Sequence, residues 1–278
     1  MARGTVVVTG ASTGIGEATA TRLAADGFDV FAGVRKEADA ERLRAAGLKP
    51  LTIDVTDQGT IEAAVAQVSA VAAGGLHGLV NNAGIAVSGP LEHVAIDDLR
   101  RQLEVNLIGQ VAVIQGFLPL IRTGRGRIVN VSSIGGRIAL PLAAPYAASK
   151  YALEAISDSL RREVRDQGIE VVLIEPGGVK TPIWDKGISE ADQLEAALPP
   201  EAKTLYGGMI AALRREVDDI SKRTGIEPSE VADAIADALT ARKPKTRYLV
   251  GRDAKLRWAV GKRLPDRTFD ALIARALR

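Results

Sequence analysis

The chain contains no cysteine at all. That excludes disulfides, thiolate metal sites and cysteine nucleophiles together, and it fits a reducing compartment. Histidine is almost as scarce, with only His77 and His93. Two separated imidazoles offer little to a metal ion, so no metal site is expected and both read as structural. Aromatic residues make up 4% of the chain, which leaves Ala, Val, Ile and Leu to fill the core. Neither sign of charge prevails either: a formal net charge of +2 gives no electrostatic case for nucleic acid as a partner. The N-terminus lacks the charged lead and apolar stretch of a signal peptide, because the strand-like run Thr5–Thr9 begins almost at once. No apolar run approaches the ~20 residues needed to span a bilayer. The expectation is a cytoplasmic protein.

What is present is a rhythm. Short β-branched runs alternate with Ala/Leu-rich stretches of helical period, the pattern of repeated βαβ units. Strands are expected at Thr5–Thr9, Val30–Val34, Pro50–Ile53, Gly78–Asn81, Arg127–Val131, Glu170–Glu175 and Thr246–Val250. Their unbroken apolar character suits strands buried on both faces. Helices are expected near Ile15–Ala25, Ala38–Ala46, Gln58–Ala72, Ile96–Ile121, Tyr146–Asp166 and Pro228–Ala241. Together they imply an α/β fold: a doubly wound, Rossmann-type, mostly parallel seven-stranded sheet with helices on both faces, in one domain over residues 1–251. Residues 181–225 interrupt the rhythm with Trp184, Leu194, Leu198, Tyr206 and Met209 set among charges. They read as a helical insertion covering the crevice at the strand ends, with plain surface packing as the alternative. Residues 252–278 form a basic tail, with eight basic residues against three acidic ones. Trp258, Leu264, Phe269, Leu272, Ile273 and Leu277 are interleaved among them, which suggests an amphipathic helix packed on the body, on a subunit or on a membrane surface. Packing on protein is the expected case.

Directly after the first strand stands Thr9-Gly10-Ala11-Ser12-Thr13-Gly14-Ile15-Gly16, leading into a helix. Strand, glycine turn and helix make a dinucleotide site. Gly10 permits the tight turn, Gly14 lets backbone approach a pyrophosphate, Gly16 allows close packing, and the helix N-terminus supplies unpaired N–H groups. The spacing departs from the common G-x-G-x-x-G pattern, having three residues between the first two glycines and one before the last.

This turn resembles that of the short-chain dehydrogenase/reductase family, and further motifs follow in the family's order. They are Asn81-Asn82-Ala83-Gly84; Asn106, 27 residues before Ser133; Ser133, 13 before Tyr146; Lys150, completing Y-x-x-x-K; and Pro176-Gly177-Gly178-Val179-Lys180-Thr181. The resemblance implies a catalytic set of Asn106, Ser133, Tyr146 and Lys150. It further implies a cofactor site drawn from Gly10, Ser12, Thr13, Gly14, Ile15, Gly16, Arg35, Asp54, Val55, Asn82, Ala83, Gly84, Tyr146, Lys150, Pro176, Gly177, Val179 and Thr181. Val34 stands where NAD-preferring members usually carry Asp, and Arg35 resembles the arginine of NADP-preferring steroid reductases. NADP(H) is therefore the expected cofactor. NAD(H) remains the alternative, with Arg35 stacking on adenine and Glu37 or Asp39 taking the ribose.

The chemistry needs these residue types. Reduction of a ketone leaves an oxyanion, so a proton donor must lie within reach and be regenerated near neutral pH. Free tyrosine, with a pKa of ~10, needs a neighbouring cation to do this. Tyr146 and Lys150, four apart on a helix, share a face. Ser133 would orient the substrate oxygen, its neighbour Ser132 facing the protein instead, and by resemblance Asn106 holds a water-linked proton path to Lys150. Candidate pocket walls Ala86, Val87, Leu91, Ile134, Gly135, Leu140, Trp184 and Tyr206 are mostly apolar and suit a lipophilic ketone or secondary alcohol, steroid-, retinoid- or keto-lipid-like. The stretch Phe31–Arg35 also resembles the steroid and retinol dehydrogenase branches. The family resemblance further suggests a homodimer or homotetramer. The rival readings are a cofactor-sensing regulatory protein without turnover, which the intact trio opposes, and a nucleotide-sugar epimerase, which usually carries a different glycine spacing.

Overall fold

The computed structural model describes residues 3–184, 192 and 195–276, so Leu194 and Leu277 lie outside the described residues. In chain order the main elements are β1 (Thr5–Val8), α1 (Gly14–Ala25), β2 (Asp29–Val34), α2 (Glu37–Ala45), β3 (Lys49–Thr52), α3 (Gln58–Ser69), β4 (Leu76–Asn81), α4 (Ile96–Leu103), α5 (Gly109–Gly124), β5 (Arg127–Val131), α6 (Ala144–Glu163) and β6 (Glu170–Pro176). After β6 come α7 (Pro200–Asp219), α8 (Pro228–Thr240), β7 (Arg247–Val250), α9 (Arg252–Gly261) and α10 (Asp266–Ala276). The seven strands form one sheet in the order β3-β2-β1-β4-β5-β6-β7, parallel at every pairing.

Alternation along each strand divides the core in two. Val6 and Val8 of β1 face one side, with Leu23 of α1, Leu43 of α2 and Ile235 and Leu239 of α8. Val7 faces the other, with Ile61 and Val68 of α3 and Val113, Phe117 and Ile121 of α5. Both faces are covered, which is why the central strands are mostly apolar, while the edge strands β3 and β7 are partly exposed. Local signals set several helix starts. Asp57 caps α3 by accepting from the Gly59 and Thr60 N–H groups at 2.8 and 3.3 Å, and Glu227 with Glu230 forms a capping box ahead of α8.

The expected helix Ile96–Ile121 is one continuous helical rod with a π turn at Glu104–Ile108 between α4 and α5. Among the described residues Ile96–Gly124 is also the one helix long and apolar enough to cross a membrane, which the expectation of no such run did not anticipate. Its apolar inner face is spent on the sheet core. The basic tail is two helices rather than one, interrupted before Pro265, which cannot continue the first helix's hydrogen bonding. Described residues of the 181–225 segment form α7, whose Ala202 and Ile210 pack on Leu142 together with Leu198 just ahead of the helix.

Chain order reverses between β1 and β4, so a crevice opens beyond their carboxyl ends. The glycine turn leaves β1 there and Asn81–Gly84 leaves β4.

Candidate active site

The turn after β1 is held by its neighbour across the crevice. The Thr9 hydroxyl accepts from the Asn82 and Ala83 N–H groups at 3.0 and 3.1 Å, while the Asn82 side chain donates to the Thr9 and Gly10 carbonyls, each at 3.0 Å. Asn82 is therefore occupied in bracing the turn. Gly10 and Gly14 both sit at positive φ, +64° and +60°. A Cβ on Gly14 would come within 3.0 Å of Thr181, so the first turn and the Gly177–Thr181 loop nearly touch. Thr13 caps α1 with no side-chain hydrogen bond, leaving the first helical N–H groups of Gly14 and Ile15 for an anion. A cradle that a methyl would fill and a helix start without a capping side chain fit a pyrophosphate-bearing cofactor. Ser12 sits beside them, its carbonyl accepting from Arg42.

Gly16 is the tightest point of the turn, since a Cβ there would overlap the Gly10 carbonyl oxygen and crowd Asn82 Nδ2 at 2.5 Å. Gly16→Ala is expected to cost about 1–3 kcal/mol through overpacking and to lower the Tm by about 5 °C. An unchanged thermal melt would contradict that packing.

At the end of β2 the exposed Arg35 guanidinium lies 3.7 Å from Asp54, which follows β3, with buried Val55 next to it. Burial works against the charged Asp54, but hydrogen bonds from Thr56 and the nearby Arg35 charge hold its carboxyl below the usual range. Cation and acid thus share one rim beyond the ends of β2 and β3.

At the other end Ser133, Tyr146 and Lys150 come together. Ser133 follows β5 and starts a short 3-10 turn, its Oγ accepting from the Gly135 N–H at 3.0 Å. Tyr146 sits in the first turn of α6, after Pro145, and a Cβ on Gly135 would meet its ring at 3.1 Å. Burial pushes the Tyr146 phenol up, and its hydrogen bond with Ser133 works the other way. Lys150 is 4% exposed, donates to the Val131 carbonyl at 2.8 Å and holds Nζ 5.8 Å from the Tyr146 ring centre. Burial lowers its ammonium to about 8, opposed by the Glu154 carboxylate. Ser132 is turned into the protein, and its buried hydroxyl has no partner.

Asn106 is fully buried in the π turn, a local widening that recurs at functional sites. Its Oδ1 accepts from the Ile85 N–H at 2.8 Å, and Nδ2 donates to the Ile85 carbonyl at 2.9 Å and to Ser149 Oγ at 3.3 Å. Ser149 in turn donates to the Tyr146 carbonyl at 2.7 Å. Asn106 thereby ties the loop after Gly84 to the turn that carries Tyr146. Gln102, one turn earlier, repeats this by donating to the Ile85 carbonyl at 3.0 Å and accepting from the Val87 N–H at 2.6 Å. Sequence reasoning missed Gln102, although its spacing of four from Asn106 on one helix face was a usable signal.

It also missed a buried ionic group beneath the site. Glu175, fully buried near the end of β6, accepts from Arg137 at 2.7 and 2.8 Å and lies 3.2 Å from Arg247, which also pairs with Glu154 and Asp158. Burial raises the Glu175 carboxyl, against the pull of Arg137. After Pro176 and Gly177 the chain reaches buried Val179, whose carbonyl accepts from the Trp184 indole at 2.7 Å, and then Thr181. Of the expected pocket walls, Trp184 faces this loop, Tyr206 lies edge-on to His93, and Leu91 is exposed.

A family pattern described as short chain dehydrogenase matches residues 4–192, more than half of the chain. The chain belongs to the short-chain dehydrogenase/reductase family. It is thus an NAD(P)-dependent oxidoreductase of carbonyl and alcohol groups. Over 281 residues it is 39% identical to an NADPH-dependent 3-dehydrocapnine reductase of Ornithobacterium rhinotracheale, covering 98% of this chain and 96% of that one. To human retinol dehydrogenase 5 it is 37% identical over 277 residues, or 96% and 87% of the two chains. A short-chain dehydrogenase from Streptomyces avermitilis superposes with a TM-score of 0.77 at 28% identity, over 98% and 94% of the chains.

Proposed function

We propose that this short-chain dehydrogenase/reductase interconverts a lipophilic ketone and its secondary alcohol, with Tyr146 as acid and base. The observation that carries the reading is the convergence of Ser133, Tyr146 and Lys150 at the strand ends, on the side where Thr181 meets the glycine turn. The Gly10–Gly16 turn, the Asp54 rim and the Gly177–Thr181 loop would hold the dinucleotide, which when bound would supply or accept the hydride.

In the reducing direction Tyr146 donates its phenolic proton to the substrate oxygen as negative charge builds there. Ser133 holds that oxygen by hydrogen bonding, so the proton has a short path and the oxyanion a fixed partner. Lys150 stabilises the resulting phenolate by its charge. Asn106 fixes the helix turn that aims the phenol and flanks the proton path toward Lys150.

An apolar substrate suits the cover supplied by Leu142 of the loop before α6, Leu198 of the turn before α7, and Tyr206, Met209 and Ile210 of α7. Relatives named for retinol and for a dehydrocapnine support a lipophilic substrate. A cofactor-coupled absorbance screen across apolar ketones and alcohols tests this, and absence of turnover on all of them would remove the substrate class.

For the cofactor, NADPH is the proposed choice, because Arg35 is exposed at the rim and no acid stands at Val34. The relative named as NADPH-dependent supports it. A guanidinium-to-phosphate bond is worth about 1.5–3 kcal/mol, so kcat/KM should favour NADPH over NADH by about tenfold or more. Arg35→Ala should erase most of that ratio while leaving NADH kinetics nearly unchanged. A wild-type preference for NADH would reverse the assignment.

A further inference from the structure

Helix α9 of the basic tail reaches three segments around the site. Its Trp258 ring lies under the Arg137 guanidinium, 4.5 Å away, on the loop that follows Ser133. Its Arg257 pairs with Glu216 of α7. Its Asp253 accepts from the Gly178 N–H at 2.8 Å, in the loop after β6.

The third contact is built from both sides. A Cβ on Gly177 would overlap the Asp253 carboxylate, and a Cβ on Gly251 would lie 2.5 Å from its Oδ1. Gly251 also takes φ +99°, the conformation that turns the chain from β7 back toward the loop. Two glycines therefore clear the space that one carboxylate fills. The carbonyl of the same Gly178 accepts from the Ile226 N–H at 2.9 Å, and Lys180 N–H donates to the Ile226 carbonyl at 3.0 Å. Both peptide groups of Gly178 are thus tied to segments distant in sequence, one through a side chain of the tail.

We propose that Asp253 is a positioning residue for the cofactor: its carboxylate clamps the Gly177–Gly178 backbone, so the C-terminal helix is part of the frame of the nicotinamide end. The proposal rests on the reading of Gly177–Thr181 as a cofactor loop. A carboxylate accepting from a backbone N–H is a charge-assisted bond, stronger than a neutral one. With it removed, the Gly178 N–H loses its partner, and although Gly177 still bonds Val250 and Gly178 and Lys180 still bond Ile226, the loop samples more conformations that the bound cofactor must then freeze out.

The experiment compares full-length wild type, Asp253→Ala and Asp253→Asn. Asn keeps an acceptor oxygen of the same reach. In the cofactor-free protein, amide hydrogen exchange over residues 176–184 should be about tenfold faster in D253A and near wild type in D253N. NADPH titration followed by its fluorescence should show about tenfold weaker binding for D253A, restored to within about twofold by D253N. Unchanged exchange in D253A overturns the clamp. So does equal damage in D253A and D253N with a lowered melting temperature, because that pattern marks packing alone. If wild type itself fails to bind NADPH, the cofactor reading falls, while the exchange measurement still decides whether Asp253 holds the loop.

Discussion

Tyr146→Phe should abolish turnover while leaving the fold and cofactor binding in place. The substitution removes one oxygen and keeps the ring that packs against Gly135, so the melting temperature should stay within about 1 °C of wild type. General acid–base catalysis contributes about 10²–10⁴ to rate, and here no other described group is suited to give the proton. Lys150 donates to the Val131 carbonyl, and the Ser133 hydroxyl, which accepts from the Gly135 N–H, is an aliphatic alcohol and far weaker an acid than a phenol. A fall in kcat of about a thousandfold is expected, with NADPH affinity within about threefold of wild type. The same variant separates an enzyme from a cofactor sensor on the same fold. A sensor would keep its nucleotide response in Tyr146→Phe, and unchanged turnover would show that some other group carries the proton.

Much of the sheet was legible because the central strands are mostly apolar on both faces and the crossover helices have their own period, so local pattern and tertiary role agree. The strand Arg127–Val131 was read to the residue. Boundaries slipped where the signal is not apolar. β4 begins at Leu76, two residues before the expected start, because His77 and Gly78 dilute the run although His77 is packed against Phe28. α6 begins at Ala144 rather than Tyr146, since Pro145 is a good first-turn residue and reads equally well as a loop. The π turn at Glu104–Ile108 left no mark on hydrophobic period, and only the buried Asn106 betrays it. Of the site, what had fixed spacing could be read, namely the glycine turn and the serine, tyrosine and lysine. Asp253 could not, because an acid in the first turn of a helix is ordinary and its partner Gly178 lies 75 residues away. Arg137 and Glu175 escaped for the same reason: they pair across 38 residues, and neither belongs to a local motif.

Lys150→Met should move the pH dependence of the reaction as well as its size. At 5.8 Å from the ring centre, with an effective dielectric constant near 20, a unit positive charge stabilises the phenolate by about 3 kcal/mol, or roughly two pH units. Burial already pushes the Tyr146 phenol up, with the Ser133 hydrogen bond set against it, and loss of the neighbouring cation would add to that cost. Alcohol oxidation needs the phenolate and rises with pH through the Tyr146 pKa. Taking away the cation raises that pKa, so the rising limb should move about two units to higher pH, and oxidation at pH 7 should fall about a hundredfold. Reduction needs the protonated phenol and falls through the same pKa, so its plateau should extend to higher pH in the variant. In the wild type burial lowers the Lys150 ammonium to about 8 while it raises the phenol, so Lys150 supports the phenolate only while it keeps its own proton. A hundredfold loss with an unmoved limb would leave Lys150 a role in cofactor binding alone and remove it from the acid–base step.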